Sequence, residues 1–431
     1  MNTCAICDRT QGADEKPFVV VGKNKRICLD CLKEIGWKGG YVFDCIYRED
    51  GRSRADLEGK PKPKKDPVPA HVNGKMTPHR IKQELDKYVV GQENAKIALS
   101  IASYNHMKRM ALGDPEIQKS NILLMGPTGC GKTHLVRTLG RILNVPVAVT
   151  PATSLTEAGY VGNDAESVIA NLFYAAGQDV SRTEHGIVFI DEIDKLVSSG
   201  ENGARKEVGG TGVQQALLPI IEGSKIEITL SKTGGMPSRE SSVFIDTTNI
   251  LFICGGAFPA LKDIIWARIT QHARMGFVPH DTSVEKMKAD DNLYRHATTE
   301  DLQMFGLIPE FIGRVPVREV LDPLSVETLR RILNEPKDSI VSQYRKLFNY
   351  DGIDLSFETE ALDYLAEKAY RYGTGARALR GVMEEALERM MYDAPDDETI
   401  EKICITREYV SGAAALPTIS RSSFRKGCAV Y

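Results

Sequence analysis

No stretch of this sequence approaches the roughly 20 consecutive apolar residues that a membrane-spanning helix needs. The first residues, Met1 to Cys4, also lack a charged leader followed by an apolar segment, so we expect a cytoplasmic protein with no membrane partner. Basic residues are not in excess, with 55 Lys and Arg against 58 Asp and Glu. A large positive field is therefore absent, and we expect no nucleic-acid partner.

The length of 431 residues indicates two or three domains. The stretch from Lys60 to Pro69 alternates lysine and proline. Proline removes amide donors and like charges repel, so this stretch predicts a linker without a packed core. The expected division is an N-terminal module at 1–47, a linker at 48–75, a large domain at 76–320, a small domain at 321–410 and a tail at 411–431, whose Ser, Ala and Gly content favours disorder.

Helix and strand signals alternate through the large domain, which is typical of an α/β fold. Short apolar strands are expected at residues 121–125, 145–149, 186–190 and 250–254. Their continuous apolar character favours a mostly parallel sheet with helices on both faces. Beyond residue 321 the strand signals become sparse, and helices are expected over 325–348, 358–370 and 376–391, so the small domain should be mainly helical.

A glycine-rich loop lies between the first of these strands and an amphipathic helix. The sequence of residues 126–133 fits the pattern G-x-x-x-x-G-K-[ST] in the strand-loop-helix context that the motif requires. Successive backbone N–H groups can surround phosphates there, Lys132 adds a positive charge and Thr133 can ligate magnesium. The expected nucleotide-binding residues are Gly126, Pro127, Thr128, Gly129, Cys130, Gly131, Lys132, Thr133 and His134.

An acidic pair, Asp191 and Glu192, follows the apolar strand at 186–190. In isolation such a pair is more often a solvated strand end. Downstream of a phosphate loop it indicates catalysis, because phosphoryl transfer needs a metal and a positioned nucleophile. We expect Asp191 to hold the magnesium shell and Glu192 to activate the attacking water.

Four of the nine cysteines fall within the first 31 residues, as two Cys-x2-Cys pairs. Two such pairs suit one tetrahedral Zn²⁺ with thiolate ligands, and zinc would provide much of the folding free energy of so small a module. Redox-active pairs are the alternative, although one pair would suffice for exchange chemistry. The predicted zinc ligands are Cys4, Cys7, Cys28 and Cys31.

Several sequence blocks resemble AAA+ ATPases, and in particular those of the ClpX family, over nearly the whole chain. The blocks are the phosphate loop, the strand with the acidic pair, and residues 88–92, 158–162, 212–218 and 253–258. The resemblance implies an ATP- and Mg²⁺-dependent protein unfoldase and translocase that works as a homohexamer. It also implies protein substrates, adaptors and a ClpP-type peptidase as partners, with no peptidase activity in this chain.

The resemblance assigns roles to residues that no motif would single out. Arg314 would reach the nucleotide of a neighbouring subunit, and Arg377 would touch nucleotide in its own subunit. Val89 and Val90 match the segment that lies against adenine. Glycine-flanked residues match the loop that grips substrate at the ring axis; they are Tyr160 and Val161.

Three positions depart from the family pattern or vary it. The strand at 250–254 runs into two glycines, so no polar sensor residue is assigned there. Residues 233–240 stand where the family has an Arg-Lys-His triplet, and only Arg239 remains as a positive charge. A tripeptide in a polar segment matches the loop that docks on the peptidase, with methionine in place of isoleucine; it consists of Met275, Gly276 and Phe277.

Two other functions use the same motor. A stand-alone remodeller would dismantle protein complexes without a peptidase. A zinc-containing nucleic-acid translocase is the third reading, and it is disfavoured by the acidic balance and by Tyr160 and Val161, since a loop gripping phosphates should carry Lys or Arg.

Overall fold

The computed structural model describes residues 19–21, 25–27, 76–114, 116–156, 164–197, 210–230, 241–272, 293–415 and 417–421. The chain divides into two units, Met1–Pro67 and Val68–Tyr431. In the first unit, strands β1 (Val19–Val21) and β2 (Lys25–Ile27) pair antiparallel. No helix of the described residues is long and apolar enough to cross a membrane.

The second unit is built on a five-stranded parallel sheet. Its strands are β3 (Ile122–Met125), β4 (Val147–Pro151), β5 (Ile187–Asp191), β8 (Leu251–Gly256) and β9 (Val317–Val320). They lie in the order β4-β5-β8-β3-β9. A separate antiparallel pair is formed by β6 (Lys225–Leu230) and β7 (Ser241–Asp246). The α/β architecture expected from the sequence is confirmed.

Both faces of the parallel sheet are covered, as the apolar strands predicted. Side chains along β3 alternate between two hydrophobic cores: Leu123 and Met125 belong to one, and Ile122 and Leu124 to the other. Alternation along a strand sends successive side chains to opposite faces, so each face packs against its own helices. All parallel strands end at one edge of the sheet, where β3 and β5 present the phosphate loop and the acidic pair.

The helices fall before, between and after the strands. Those longer than one turn are α1 (Pro78–Asp86), α2 (Glu93–Leu112), α3 (Lys132–Leu143), α4 (Ser167–Ala175), α5 (Val180–Thr183), α6 (Gly210–Glu222), α7 (Leu261–His272), α8 (Thr299–Phe305), α9 (Pro309–Arg314), α10 (Val326–Asn334), α11 (Ile340–Tyr350), α12 (Thr359–Arg371), α13 (Arg377–Asp393) and α14 (Arg407–Val410). Short 3-10 turns lie at Ala152–Ser154, Ile193–Leu196, Thr247–Asn249, Leu293–His296 and Ala394–Asp396.

Helices α10 to α13 enclose a third hydrophobic core, which draws its buried members from residues 329–405. The single helix expected over 325–348 is wrong, because the structure has two helices there, α10 and α11. Pro336 lies between them, and proline removes a helical hydrogen bond and clashes with the preceding turn. The Ser339 hydroxyl then caps α11 by accepting a hydrogen bond from Ser342 N.

This third core also includes a small sheet that the sequence did not predict. Strand β11 (Ile400–Ile405) pairs in parallel with β10 (Asp354–Phe357) and antiparallel with β12 (Thr418–Arg421). The tail from residue 411 was expected to be disordered, and the structure differs by placing β12 within it. Ile419 packs against the third core, so this apolar side chain helps to hold the strand.

Candidate nucleotide site

The phosphate loop connects β3 to α3 at the carboxyl edge of the sheet. The Lys132 ammonium donates hydrogen bonds to Gly126 O at 2.7 Å and to Pro127 O at 3.0 Å, so the lysine folds back over the loop. Gly126 N donates to Gly256 O at 3.2 Å, which fixes the loop to the end of β8. The loop is therefore shaped by the sheet edge and by its own lysine.

The acidic pair lies beside the start of α3. The Thr133 hydroxyl donates to an Asp191 carboxylate oxygen at 2.9 Å, while the other Asp191 oxygen accepts from Glu192 N at 2.9 Å. Glu192 has left-handed backbone, with φ of 59°. Non-glycine residues pay for this conformation, and such strain is concentrated at functional sites.

One open cavity of about 710 Å³ collects most of the predicted nucleotide residues. Lys132, Thr133, Asp191, Glu192 and Arg377 all line it. Other predicted members of the lining are Pro127, Thr128, Gly129, Gly131 and His134. Helix α13, which packs in the third core, contributes its first residue, Arg377, so the cavity lies between the parallel sheet and the small helical part.

A direct backbone contact joins the phosphate loop to the small helical part. Ala376 N donates to Gly129 O at 3.1 Å. Gly375 has φ of +60°, and a Cβ built on it would lie 2.7 Å from Gly129 O. The backbones of Gly375 and Gly129 approach this closely because neither glycine has a side chain.

Arg314 does not line this cavity. It is the last residue of α9, and its Nε donates to the Glu222 carboxylate at 2.6 Å. Both side chains are about half exposed, so the guanidinium lies at the surface of the chain. The contact of Arg314 with the nucleotide of another chain stays a prediction.

Val89 and Val90 are buried, and neither belongs to the cavity lining. Val89 packs in the core beneath α3, and the neighbouring Tyr88 O lies 3.2 Å from His134 Nε2. The segment thus reaches the cavity through His134, whose contact with nucleotide stays a prediction.

Other predicted residues lie outside the described ones. They are the cysteines Cys4, Cys7, Cys28 and Cys31, the glycine-flanked Tyr160 and Val161, the segment 233–240, and the tripeptide Met275, Gly276 and Phe277.

The sequence did not single out Gln92, Asp194 or Tyr294. Asp194 is buried, lines the cavity and accepts a hydrogen bond from Ala257 N at 3.1 Å. The Tyr294 hydroxyl lines the same cavity and donates to the backbone carbonyls of Ala257 and Phe258, while burial raises its pKa to about 12. The sequence could have indicated Asp194, since it follows closely after the acidic pair at the end of β5. No local sequence pattern indicates Tyr294.

The arrangement fits a nucleoside triphosphate with its magnesium ion. Thr133 and Asp191 supply the oxygen ligands that Mg²⁺ prefers, and when bound the ion would neutralise charge on the phosphates. The loop backbone and Lys132 can cradle the phosphate groups. Glu192, the next residue after Asp191, can orient a water molecule and accept its proton. A P-loop nucleoside-triphosphatase with a helical second part is the class of protein that this fold and site define.

Comparison with known families supports this class. Residues 117–318 match the AAA domain (Cdc48 subfamily), and residues 324–407 match the C-terminal, D2-small domain of ClpB protein. The first match contains the whole nucleotide loop and the acidic pair, and the second contains Arg377. The chain is therefore an AAA ATPase that binds ATP and Mg²⁺, and it is not itself a peptidase.

Curated relatives extend the similarity to nearly the full length. The ATP-dependent Clp protease ATP-binding subunit ClpX of Borrelia duttonii is 42% identical over 422 residues, covering 96% of this chain and 92% of the relative. The subunit named ClpX 2 of Wolinella succinogenes is 41% identical, with 95% of each chain covered. ClpX of Bacteroides fragilis is 39% identical, with 92% of each chain covered. The chain belongs to the ClpX family.

Proposed function

We propose that the chain is an ATP-dependent protein unfoldase and translocase that delivers polypeptide to a ClpP-type peptidase. The observation that carries this proposal is the similarity over more than nine-tenths of the chain to subunits named as part of the ATP-dependent Clp protease. The nucleotide cavity lies between the sheet and the small helical part. A change in nucleotide state can thus move one part against the other, as a motor requires.

The proposal includes assembly into a homohexamer with Arg314 acting on the neighbouring subunit's nucleotide. The surface position of Arg314 and its absence from the cavity of its own chain support this role. Arg377 would act within its own subunit, because it lines the same cavity as Lys132. Val89 and Val90 would contribute apolar or backbone contacts to adenine.

The polypeptide-handling parts are proposed from the sequence alone. Tyr160 and Val161 would grip substrate, since a flat, amphipathic tyrosine can press on almost any polypeptide. The tripeptide Met275 to Phe277 would dock on the peptidase, and methionine in place of isoleucine keeps the side-chain volume. Zinc held by the two cysteine pairs would fold the N-terminal module, which with adaptors would select substrates in the cytoplasm.

The experiment is degradation of a folded, tagged reporter by the purified chain, ATP and a barrel peptidase. We expect degradation that needs all three. Deleting the tripeptide should abolish degradation, because the six loops of a hexamer hold the peptidase only through many weak contacts made together. ATP hydrolysis and unfolding should persist, since neither needs the peptidase. Unfolding without peptidase association in the parent chain would favour the stand-alone remodeller, and ATPase stimulation by polynucleotide rather than unfolded protein would favour the translocase.

A further inference from the structure

Gln92 holds an unusual position at the start of α2. It is the N-cap residue with left-handed backbone, φ of 57°, yet its side chain does not cap the helix. The carboxamide instead makes three hydrogen bonds to backbone far away in the sequence. The residue is buried, so these bonds are shielded from water.

Two of the three bonds go to one residue, Asp322. The Gln92 amide donates to Asp322 O at 2.8 Å, and Asp322 N donates to the Gln92 side-chain oxygen at 2.9 Å. Asp322 lies just beyond β9, where the chain leaves the parallel sheet for the third core. Leu321 N donates to Met125 O at 2.8 Å, so residues 321–325, which we call the hinge segment, begin beside the strand that leads to the phosphate loop.

The third bond goes to the phosphate loop itself, from the Gln92 amide to Cys130 O at 3.3 Å. The peptide between Cys130 and Gly131 is trans, as are all described peptide bonds. In a trans peptide the C=O and the following N–H point in opposite directions. With its C=O held towards Gln92, this peptide presents Gly131 N–H on the opposite side, and Gly131 lines the nucleotide cavity.

We propose that Gln92 is a positioning residue of the nucleotide site. Its carboxamide turns Gly131 N–H towards the phosphates and ties that same peptide to the hinge backbone at Asp322. Phosphate binding that draws the Cys130–Gly131 peptide inward thereby pulls on the hinge through one side chain. The inference rests on ATP binding by this family and is independent of what the motor does to its substrate.

The pattern of bonds requires a carboxamide. Both carbonyl oxygens need an N–H donor, and Asp322 N needs an acceptor. Glutamate has the same shape and keeps the acceptor, but it offers no donor and sets a negative charge against two carbonyl oxygens. Methionine has a similar volume, offers no donor to the two carbonyl oxygens and has only its weakly accepting sulfur for Asp322 N.

Gln92→Glu and Gln92→Met are to be compared with the parent by equilibrium binding of Mg·ADP and by thermal unfolding. We expect nucleotide to bind about tenfold more weakly to both variants, as loss of a hydrogen bond that orients a phosphate ligand predicts. If Gln92→Glu does not fold, Gln92→Met still provides the measurement, because methionine adds no buried charge.

Gln214→Glu is the matched control. Gln214 is also buried, and its carboxamide also bridges backbone, donating to Gly306 O at 3.3 Å and accepting from Ile308 N at 2.9 Å. It does not line the nucleotide cavity. Its replacement should lower the unfolding midpoint and leave the affinity for Mg·ADP unchanged. Parental affinity in both Gln92 variants, together with a stability loss like that of Gln214→Glu, would reduce Gln92 to a structural residue and overturn the proposal.

The proposed link between Gln92 and the hinge segment is tested separately, by energy transfer between two fluorescent labels. Leu112, at the end of α2, and Tyr350, at the end of α11, are exposed and can carry a fluorescent pair on encoded azido amino acids, which avoids the nine native cysteines. One labelled chain is assembled with an excess of unlabelled chains. Nucleotide should change the energy transfer in the parent, and this change should shrink at saturating nucleotide in Gln92→Glu. No change in the parent, or an equal change in both, would overturn the coupling.

Discussion

The Thr133 hydroxyl donates a 2.9 Å hydrogen bond to the carboxylate of Asp191, and this bond joins the helix that follows β3 to the end of β5, a strand that is not a neighbour of β3. Strand β8 lies between β3, which leads to Thr133, and β5, which ends at Asp191. Parallel strands bring both ends to one edge of the sheet, so residues 58 positions apart meet. Glu192 is the next residue, and the first prediction concerns it.

Glu192→Gln should bind ATP with close to parental affinity and hydrolyse it at least about 100-fold more slowly, because the amide cannot accept the proton of the attacking water. Equilibrium binding and steady-state phosphate release are the measurements. Glu227→Gln, at an exposed residue of β6, is the control and should hydrolyse normally. Turnover near the parental rate would remove Glu192 from the mechanism.

Gly375→Ala should disturb the contact between the phosphate loop and the small helical part. A methyl group there would lie 2.7 Å from Gly129 O, on backbone with φ of +60°. We expect a loss of about 1–3 kcal/mol in the free energy of unfolding and a lower ATPase rate. Gly381→Ala is the control, since its Cβ meets open space within α13 and should add up to about 1 kcal/mol of stability. Equal behaviour of the two variants would contradict the close approach.

Arg314→Ala should be inactive alone, because each nucleotide would lack a cation from its neighbour. Mixed with Glu192→Gln subunits it should regain part of its ATPase activity, at sites that pair an intact Glu192 with an intact Arg314. The measurement is ATP hydrolysis against mixing ratio, with each variant mixed with itself as the control. Activity that never exceeds the two parents would argue that Arg314 acts elsewhere.

His106 should make the protein less stable in mild acid. Burial lowers its pKa to about 4, while its Nε2 lies 2.9 Å from Asn249 O and the nearby positive groups are Lys119 and Arg109. Because the folded pKa lies below the unfolded value of about 6.5, the unfolded state takes up the proton first. Stability is therefore full above about pH 6.5 and falls by about 3 kcal/mol as pH drops towards 4.

Urea unfolding between pH 7 and pH 4 measures this effect, provided that the parent is folded at each pH. His106→Gln should flatten the pH dependence in this range. His79→Gln, on the exposed face of α1, should leave the profile unchanged. An identical slope for His106→Gln and the parent would show that other groups control the acid response.

Chelation should remove about one zinc per chain and unfold only the N-terminal module, since thiolate ligation ties the folding of such modules to the metal. Basal ATP hydrolysis should persist, because the Lys- and Pro-rich stretch at residues 60–69 predicts a linker that would let the module unfold without the motor. Metal analysis, circular dichroism and the ATPase rate are the measurements, and the ATPase rate is taken after the chelator has been removed and Mg²⁺ restored. Loss of ATPase activity on chelation would contradict the independence of the two parts.

Local patterns were enough to predict much of the motor. The phosphate loop, the acidic pair and the apolar strands can each be identified from a few consecutive residues. These stretches therefore predicted the α/β fold and the residues at the sheet edge. The break at Pro336 was equally local and was missed because the flanking apolar period continues on both sides. The strand at Thr418–Arg421 was missed for the opposite reason, since its stability comes from pairing with β11 rather than from its own composition.

The residues that could bind phosphate and activate water were predictable from the sequence, because those abilities belong to residue types and to spacing along one strand-loop-helix unit. The folded chain was needed to show that Asp194 and Tyr294 share the cavity, that Arg314 pairs with Glu222 away from it, and that Gln92 joins Cys130 to Asp322. The last contact bridges segments 38 and 230 residues from Gln92. Contacts at such separations depend on how the chain packs, and no local periodicity or motif encodes them.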